Sequence, residues 1–478
     1  MGIPRVLLAA LRGGSGKTVL SVGIITALCK AGKKVVPFKK GPDYIDAGWL
    51  AMAAGRPCYN LDTFLADDRL ICRSFLSHTS GGNTDLAFIE GNRGLYDGLD
   101  VDGSTSTASL ARLLNAPVIL CLDCTKTTRT MAAVVLGCLH FEPDVQIKGL
   151  ILNRVAGSRH ETIIRQSIEK YCGVPVIGAV PKLIRQDFPE RHMGLIPTAE
   201  HAGVHHSLLA AADLVAQNVN LSDVLCIAQS AQTNPLSCIG LDLPADEPFG
   251  RGHGLRQSQD DSDAPRIGIV QDSAFQFYYP DNIDALAKAG AQLIYISPLT
   301  DTGLPDIDAL YIGGGFPETH ASELAANEKF RHEIRAAAES GLPVYAECGG
   351  LMYLGKSLEL DRSYPMAGVL PIVFGFSKKP QGHGYTIATV DRQNPYYEVG
   401  TVIKGHEFHY SKVLEWGGGD HEMAFSMEKG RGIRNSRDGI CYKNVFATYT
   451  HIHSLGTPQW AETLVDLARR KRKQAVFR

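Results

Sequence analysis

Short apolar runs alternate with segments of helical length along most of this chain, and this alternation limits the fold more than any other feature. In the first half the runs are RVLLAA, KVVPFK, DLAFIEG, APVILCLD and IKGLILNRV. Runs that are apolar throughout are typical of strands buried on both faces of a parallel sheet. The segments between them predict helices that cover the sheet, so the first half is predicted to be an α/β domain.

A polar stretch interrupts the alternation at residues 237–264, where SCIGLDLPADEPFGRGHGLRQSQDDSDA is rich in Asp, Gly, Pro and Ser. This composition predicts a linker. After it the alternation restarts with PRIGIVQDSAF, AQLIYISP, ALYIGGG and LPVYAECGG. Because a chain of 478 residues is too long for one core, we predict two doubly wound α/β domains, 1–236 and 265–478, of which the first has a parallel sheet.

The charge balance of the chain excludes several classes of partner. Lys and Arg number 48 against 50 Asp and Glu, so the net charge of −2 provides no general attraction for nucleic acid or an anionic membrane. No apolar stretch approaches the roughly 20 residues that span a bilayer. The 11 cysteines are scattered instead of being spaced as a disulfide framework. We therefore expect a reduced, cytoplasmic protein that binds neither nucleic acid nor membrane.

The sequence RVLLAALRGGSGKTVLSVGI predicts a strand, a glycine-rich turn and a helix in succession. In such a turn the backbone N–H groups face phosphate oxygens, and the helix N-terminus adds a favourable dipole. Lys17 supplies a positive charge, and the Thr18 hydroxyl can bind Mg²⁺. Leu11 departs from the strict pattern G-x-x-x-x-G-K-[ST], yet GKT in this context still predicts ATP binding. The predicted contacts are Gly14, Ser15, Gly16, Lys17 and Thr18.

A nucleotide bound with Mg²⁺ needs carboxylates at the ends of neighbouring strands, because the ion prefers oxygen ligands and usually takes one or two carboxylates from the protein. KKGPDYID offers Asp43 and Asp46 after the second apolar run, and LAFIEG ends the third run with Glu90. With Thr18, these three residues are the predicted metal ligands. For Asp43 and Asp46 an alternative role is to cap the helix that follows them.

A single cysteine, Cys348, stands in PVYAECGGLMYLG between a predicted strand and a glycine pair that opens an apolar segment. A nucleophile on a sharp strand-to-helix turn is exposed by strain, and neighbouring backbone N–H groups can hold an oxyanion. Gly349 provides one such donor. Gly314, in the run YIGGGFPE at the end of another strand, is the preferred second donor.

The thiol needs a base, and FATYTHIHS places His451 and His453 near the end of a late strand. Alternation along a strand predicts that both side chains share one face. His406 and His409 in GHEFHYS are weaker candidates, which would shape the path of glutamine or ammonia.

The motifs KGPDYID, CYNLDTF, EGNRGLYDG, CGGLMYL, GHEFHYS and ATYTHIH occur in this order and together resemble the cobyrinic acid a,c-diamide synthase family. The resemblance covers nearly the whole chain apart from the linker. It implies a first half similar to dethiobiotin synthetase and a second half similar to class I glutamine amidotransferases. The implied reaction amidates the a and c acetate groups of cobyrinic acid through acyl phosphates, with ATP and glutamine as co-substrates.

The resemblance also implies roles for single residues. It assigns the general base to His451, whereas His453 occupies the position where class I glutamine amidotransferases usually have a glutamate. The third catalytic group is therefore His453 or another residue. Around GPDYID and GLYDG, the resemblance points to substrate-binding residues Tyr44, Asp46, Tyr96 and Asp97.

Two alternative functions stay open on the sequence. The first is the same diamidation of nickel sirohydrochlorin or sirohaem, since neither the loop nor the thiol distinguishes these tetrapyrroles. The second is a partitioning or switch ATPase, suggested by RGGSGKT and by the basic segment Arg469 to Lys473. Such an ATPase has no use for Cys348 and His451. The sequence leaves the oligomeric state open, and a homodimer is among the states it allows.

Overall fold

The computed structural model describes residues 2–80, 84–182, 190–191, 194–201, 203–231, 236, 264–419 and 422–476. The chain forms two compact units, Met1–His253 and Gly254–Arg478. The boundary between them falls inside the predicted linker, of which only residue 264 is described. The domain limits 1–236 and 265–478 therefore stay predictions.

A parallel sheet of seven strands forms the centre of the first unit. Its strands are β1 (Arg5–Ala10), β2 (Val35–Lys40), β3 (Tyr59–Leu61), β4 (Leu86–Glu90), β5 (Val118–Asp123), β6 (Ile147–Val155) and β7 (Val176–Pro181). They lie in the order β3-β2-β4-β1-β5-β6-β7, and all neighbours are parallel. The predicted parallel α/β sheet is confirmed. β1 lies between β4 and β5, so the carboxyl ends of these strands meet at one edge.

Helices follow most of these strands, as the alternation predicted. They are α1 (Lys17–Lys30), α2 (Ile45–Ala54), α3 (Asp68–Thr79), α4 (Thr107–Leu113), α5 (Thr130–Phe141), α6 (Ser158–Cys172), α7 (Val204–Asn218) and α8 (Leu221–Ser230), with a 3₁₀ turn at Thr198–Glu200 and the short strands β8 (Glu190–Arg191) and β9 (Gly194–Leu195). Gly23 allows α1 to approach α7 closely, since a Cβ there would lie 2.5 Å from the carbonyl oxygen of Ala211.

A mixed sheet of ten strands forms the centre of the second unit. Its strands are β10 (Arg266–Val270), β12 (Gln292–Ile296), β13 (Ala309–Ile312), β15 (Val344–Glu347), β19 (Gly382–Val390), β20 (Val402–His409), β22 (Met423–Lys429), β23 (Arg437–Tyr442), β24 (Val445–Thr448) and β25 (His451–Ile452). Their order is β12-β10-β13-β15-β24-β23-β22-β19-β20-β25.

The two halves of this sheet differ in direction. In the order of the sheet, neighbouring strands are parallel from β12 as far as β24. The neighbours that follow, from β24 through β23, β22, β19 and β20 to β25, are antiparallel. The parallel half has the predicted α/β arrangement. The antiparallel half arises because short turns join several late strands directly, with no room for a crossover helix.

Smaller elements complete the second unit. They are α9 (Pro280–Lys288), α10 (Ala321–Ala326), α11 (Glu328–Glu339), α12 (Gly349–Leu354) and α13 (Gln459–Val476), a 3₁₀ turn at Pro317–His320, a two-stranded sheet of β11 (Phe275–Phe277) and β14 (Gly314–Gly315), and a four-stranded sheet of β16 (Ser357–Glu359), β17 (Ser363–Pro365), β18 (Ile372–Phe376) and β21 (Ser411–Trp416). α11 begins at a capping side chain, as Asn327 accepts a hydrogen bond from the N–H of Phe330.

β15 separates two hydrophobic cores of the second unit. Val344 and Ala346 pack in one core, whereas Tyr345 packs in the other, beside Trp460. Successive side chains of a strand point to opposite faces, which explains the division. Cys348, immediately after β15, belongs to the first core.

The cysteines correct one expectation drawn from composition. Cys72 is disulfide-bonded, so the expectation of an entirely reduced set is wrong at this residue. The other cysteines that the structure describes have free thiols. In the described part of the chain, every helix is too short or too polar to span a bilayer.

Candidate active site

The glycine-rich turn joins the buried strand β1 to α1 in the first unit. Gly14 and Gly16 have φ angles of 71° and 86°, a left-handed conformation that glycine adopts without steric cost. Gly16 also lies against Asn153, whose amide nitrogen would be 2.5 Å from a Cβ at this position. The side chain of Ser15 is turned back onto the loop and donates to the carbonyl oxygen of Arg12 (3.0 Å).

Lys17 and Thr18 reach from the loop toward the end of β4. The Lys17 ammonium donates to the carbonyl oxygen of Arg93 (2.8 Å), and the Thr18 hydroxyl donates to Oε1 of Glu90 (3.1 Å). Burial, followed by the positive charge of Lys39, lowers the pKa of Lys17. The structure thus brings the predicted loop residues and the predicted carboxylate Glu90 together.

Lys39 is a site residue that the sequence analysis missed. Its Nζ lies 2.6 Å from Oε1 of Glu90 and 2.7 Å from Oδ2 of Asp46, and its side chain is 1% exposed. Burial alone would lower the pKa of Lys39, but the charges of Asp46 and Glu90 raise it well above its ordinary value. The signal in the sequence was a lysine at the end of an apolar strand, KVVPFKK, where an unpaired charge would be costly.

The oxygen atoms around Lys39 fit a magnesium ion that also binds nucleotide phosphates. Oε2 of Glu90 is buried without a hydrogen-bond partner, on the carboxylate that accepts from Thr18. Among the described residues no group of three or more His, Cys, Asp or Glu side chains could hold a metal alone. Mg²⁺ characteristically takes one or two protein carboxylates and completes its shell with phosphate and water. The Thr18 hydroxyl and the carboxylates of Glu90 and Asp46 are donors of the kind that Mg²⁺ takes.

Asp43 has the capping role that the sequence analysis offered as its alternative. Its Oδ1 accepts a hydrogen bond from the backbone N–H of Asp46 (2.9 Å) at the start of α2. Burial and the charge of Asp46 raise the pKa of Asp43 to about 7. Its role as a metal ligand stays a prediction.

The predicted substrate-binding residues of GLYDG both make hydrogen bonds within the first unit. The Tyr96 hydroxyl donates to the carbonyl oxygen of Cys138, and Oδ2 of Asp97 accepts from the N–H of Gly94 (2.9 Å). Tyr44 lies directly before α2. The Asp97 bond stabilises a turn, and the Tyr96 bond connects the loop to α5. The proposed contacts of Tyr44, Tyr96 and Asp97 with substrate stay predictions.

Cys348 occupies a strained turn in the second unit, as PVYAECGG predicted. Its φ and ψ angles are 48° and −96°, between the end of β15 and the start of α12. Such a conformation is unfavourable for any residue with a Cβ and is common at functional sites. Burial, followed by the negative charge of Glu318, raises the pKa of the Cys348 thiol well above its ordinary value. The thiol is therefore protonated at neutral pH and needs a base.

The short strand β14 contacts both sides of this site. A Cβ on Gly314 would lie 2.4 Å from Cε1 of His451, and a Cβ on Gly349 would lie 2.9 Å from the backbone nitrogen of Gly315. Gly314 is therefore close to the proposed base, and Gly349, the residue after the nucleophile, is close to the backbone of β14. The contact of Gly314 and Gly349 with an oxyanion stays a prediction. The backbone nitrogen of Gly315 also lies beside Gly349.

His451 lies on β25 between a histidine and a carboxylate. Its ring is stacked on that of His406, with the ring centroids 4.9 Å apart. Its Nδ1 lies 3.5 Å from Oε2 of Glu347. Burial, followed by the charge of a protonated His451, lowers the pKa of His406 well below its ordinary value. His406 is thus a neutral neighbour of the proposed base.

His453 follows directly after β25, which ends at Ile452. Nε2 of His453 lies 3.5 Å from Oδ2 of Asp281, and its Nδ1 accepts from the backbone N–H of Leu455 (3.2 Å). Both histidines lie close enough to His406 for their charges to lower its pKa, and the expectation that they share one face stays a prediction. The catalytic role of His453 itself stays a prediction.

His409 is placed by contacts with the backbone and an aromatic ring. Its Nδ1 lies 2.9 Å from the carbonyl oxygen of Ser411, and its ring is stacked on Tyr449 with centroids 3.6 Å apart. The backbone of the preceding residue comes near the nucleophile, where Sγ of Cys348 lies 4.0 Å from the carbonyl oxygen of Phe408.

Comparison with known protein families agrees with this division into two units. Residues 6–196 match the CobQ/CobB/MinD/ParA nucleotide binding domain. Residues 266–459 match the CobB/CobQ-like glutamine amidotransferase domain. The first range contains the glycine-rich turn, and the second contains Cys348 and His451.

Three curated relatives named cobyrinate a,c-diamide synthase are similar to the chain over nearly its whole length. The relative from Magnetococcus marinus is 41% identical and covers 98% of this chain and 98% of its own. The relative from Methanosarcina acetivorans is 40% identical, with coverage of 98% and 95%. The relative from Archaeoglobus fulgidus is 40% identical, with coverage of 99% and 99%.

Proposed function

The chain belongs to the cobyrinate a,c-diamide synthase family, and we propose that it amidates the a and c acetate carboxylates of cobyrinic acid with nitrogen from glutamine and energy from ATP. The observation that carries the proposal is Cys348, held at a strained turn in the same chain as the Lys17 phosphate loop. A nucleotide-driven ligase with its own glutamine-hydrolysing thiol accounts for both features.

Glutamine is hydrolysed at Cys348 in two stages, which are formation of a thioester with release of ammonia and hydrolysis of that thioester. His451 takes the thiol proton, and the thiolate attacks the side-chain amide carbon of glutamine. His451 then gives the proton to the leaving nitrogen, so that ammonia departs and a thioester remains. Water hydrolyses the thioester to glutamate and returns the thiol. Backbone donors near Gly314 and Gly349 would stabilise the oxyanion, and one such donor is typically worth about 2.7 to 4 kcal/mol.

The nucleotide-binding unit activates the carboxylate of the corrinoid. A carboxylate is a poor electrophile, because its negative charge repels a nucleophile and its leaving group would be oxide. Transfer of the γ-phosphoryl group of ATP forms an acyl phosphate, which ammonia attacks with release of phosphate. Lys17 and the loop N–H groups stabilise the charge that develops on the transferring group.

Thr18, Asp46 and Glu90 would hold Mg²⁺, with Asp43 as a further proposed ligand. When bound, the ion would neutralise phosphate charge and orient the phosphoryl group. Lys39 holds Asp46 and Glu90 near one another, since its ammonium contacts both carboxylates. The chain thus provides a preformed carboxylate pair close to the Thr18 hydroxyl. Cytoplasmic location and a homodimer stay predictions from the sequence.

The decisive experiment compares two nitrogen sources in Cys348→Ala. We expect glutamine-driven amidation to fall at least about 10³-fold, because the nucleophile is lost. Amidation with added ammonium should persist, since ammonia then bypasses the thiol. Cys441→Ala is a matched control in the same unit and should retain both activities. Glutamine-driven product in the Cys348→Ala protein at the unmodified rate would refute the proposal.

A second experiment identifies the tetrapyrrole. Amidation rates on cobyrinic acid, nickel sirohydrochlorin and sirohaem are compared at equal concentration, with products identified by mass spectrometry. We expect two amidations on cobyrinic acid at the highest kcat/KM. A higher kcat/KM on either alternative would reassign the substrate and leave the two-site chemistry in place.

A further inference from the structure

We propose that Glu347, the residue immediately before Cys348, is the positioning residue that holds the His451 imidazole in the tautomer required for catalysis. This inference rests on the proposed function of Cys348 as the glutamine nucleophile. It identifies the third catalytic group that the sequence left open. The glutamate comes from the nucleophile strand, and not from the second position after the histidine.

Both carboxylate oxygens of Glu347 are held in place by the protein. Oε1 accepts a hydrogen bond from the backbone N–H of Ile452 (3.1 Å), and Oε2 accepts from the hydroxyl of Tyr311 (3.1 Å). Oε2 also lies 3.5 Å from Nδ1 of His451. Because Ile452 directly follows His451, one oxygen fixes the backbone of the base while the other faces its ring. The residue is fully buried, so water does not compete for these contacts.

Strand geometry explains how adjacent residues contribute different groups. Tyr345 and Glu347 face one side of β15, and Val344 and Ala346 face the other. The turn after β15 then directs Cys348 into the core of Val344 and Ala346. A single strand end thus supplies the nucleophile to one side and a carboxylate to the other.

A carboxylate beside Nδ1 determines which nitrogen of His451 carries the proton. With Nδ1–H directed at Glu347, Nε2 retains its lone pair and can accept the Cys348 proton. The imidazolium that forms is then stabilised by the carboxylate, which does not itself become protonated. The 3.5 Å separation is long for a hydrogen bond, and such contacts commonly shorten when substrate binds.

The alternative third group, His453, is committed to other partners. Its Nδ1 accepts from the N–H of Leu455, so a neutral His453 carries its proton on Nε2. That nitrogen faces Asp281 at 3.5 Å, and the ring packs on Tyr279 with centroids 4.6 Å apart. The two candidate histidines therefore lie beside different carboxylates, His451 beside Glu347 and His453 beside Asp281.

The test uses Glu347→Gln in the full chain. A glutamine that keeps its oxygen toward Ile452 presents its NH₂ group to His451, which favours the wrong tautomer. We expect kcat for glutamine hydrolysis at pH 7 to fall by about 10²- to 10⁴-fold, with a much smaller change in KM. Alkylation of Cys348 by iodoacetamide is measured by peptide mass spectrometry at a series of pH values. Its rate rises with pH as the thiolate forms. We expect this rise to occur at higher pH in Glu347→Gln than in the unmodified chain.

Asp281→Asn is the comparison variant, because it neutralises the buried carboxylate beside His453. A large kcat loss and an alkylation shift in Asp281→Asn, with Glu347→Gln unchanged, would overturn the inference in favour of His453. An unchanged kcat and alkylation profile in Glu347→Gln would also overturn it, while glutamine hydrolysis that still requires Cys348 leaves the proposed function intact.

Tyr311→Phe keeps the inference testable if Glu347→Gln does not fold, as judged by its melting temperature. This substitution removes one hydrogen bond to Oε2 and retains the aromatic ring in its core. We expect a smaller loss of kcat than in Glu347→Gln, with the alkylation profile shifted in the same direction. An alkylation profile identical to that of the unmodified chain would contradict the inference.

Discussion

His406 is a buried histidine whose environment disfavours the protonated form. Its pKa is lowered well below the usual value, first by burial and then by the charges of His451 and His453. In the unfolded chain the residue takes up a proton near pH 6.5, whereas in the folded chain it does not. The free energy of unfolding is therefore unaffected by this residue above pH 6.5 and falls below it, by up to about 1.4 kcal/mol per pH unit.

His406→Gln should flatten this pH dependence, because the variant has no proton to gain on unfolding. Chemical denaturation between pH 5 and pH 7.5 measures the slope. His383→Gln is the matched control, since His383 is exposed on the adjacent strand β19 and should leave the slope unchanged. Parallel curves for His406→Gln and the unmodified chain would mean that His406 titrates normally in the folded protein.

Strand β14 allows a close approach that only glycine permits. In Gly314→Ala the new Cβ would lie 2.4 Å from the His451 ring, so the ring or the strand must move. We expect a loss of about 1 to 3 kcal/mol in the free energy of unfolding and a fall in kcat for glutamine hydrolysis. Gly137→Ala, in helix α5, is the control, because a Cβ there would have no other atom within 4 Å. Equal effects of the two variants would show that the contact with His451 is unimportant.

The connection between β24 and β25 is held by one buried carboxylate, that of Asp438. Its oxygens accept hydrogen bonds from the hydroxyls of Thr448 (2.7 Å) and Thr450 (2.9 Å) and from the backbone N–H of Tyr449 (3.0 Å). Burial raises the pKa of Asp438, so these bonds are needed to keep its charge. Asp438 therefore fixes the backbone that leads to His451.

Asp438→Asn should lower the free energy of unfolding by about 1.5 to 3 kcal/mol, because the amide presents N–H groups to donors. Urea denaturation monitors the change. Asp391→Asn removes a half-exposed carboxylate from its pair with Arg437, and we expect a loss of at most about 1 kcal/mol. A larger loss in Asp391→Asn would contradict this account of the connection.

Two residues of the basic segment at the end of α13 contact the C-terminal ends of neighbouring helices. Arg469 donates to the carbonyl oxygen of Ala289 (2.7 Å), directly after α9, and Lys471 donates to that of Ser340 (2.7 Å), directly after α11. Positive charges at helix C-termini are stabilising, because the helix dipole is negative there. Arg469 and Lys471 therefore have structural roles within the second unit.

At the scale of the whole molecule, a substitution in the phosphate loop should change the use of the two nitrogen sources differently from loss of the Cys348 thiol. Lys17→Ala should abolish amidation from both glutamine and ammonium, because the acyl phosphate no longer forms. The melting temperature should also no longer rise with MgATP, an effect that corresponds to about 2.7 kcal/mol at 100 times Kd. Lys30→Ala, at the exposed end of the same helix, is the control. Ammonium-driven product at the unmodified rate in Lys17→Ala would contradict the assignment of the loop.

Much of this architecture could be predicted because its signals are local. The buried strand β1, the left-handed Gly14 and Gly16 and the helix α1 follow from neighbouring residues alone. The strained turn at Cys348 was likewise indicated by a strand that runs into a glycine pair. The spacing of apolar residues, the positions of glycines and the ends of strands can each be read from a short stretch of sequence. The sequence by itself therefore determined these features.

Tertiary structure alone decided which distant side chains meet. Glu347 binds the N–H of Ile452, 105 positions further along the chain, and Lys39 joins Glu90, 51 positions away. No local pattern distinguishes these two residues from other strand-end charges. Their partners are selected by the order of strands in each sheet, since parallel neighbours bring the ends of β2 and β4, or of β15 and β24, to one edge. The active-site electrostatics therefore depend on packing, whereas the devices for phosphate and thiol chemistry are visible in the sequence.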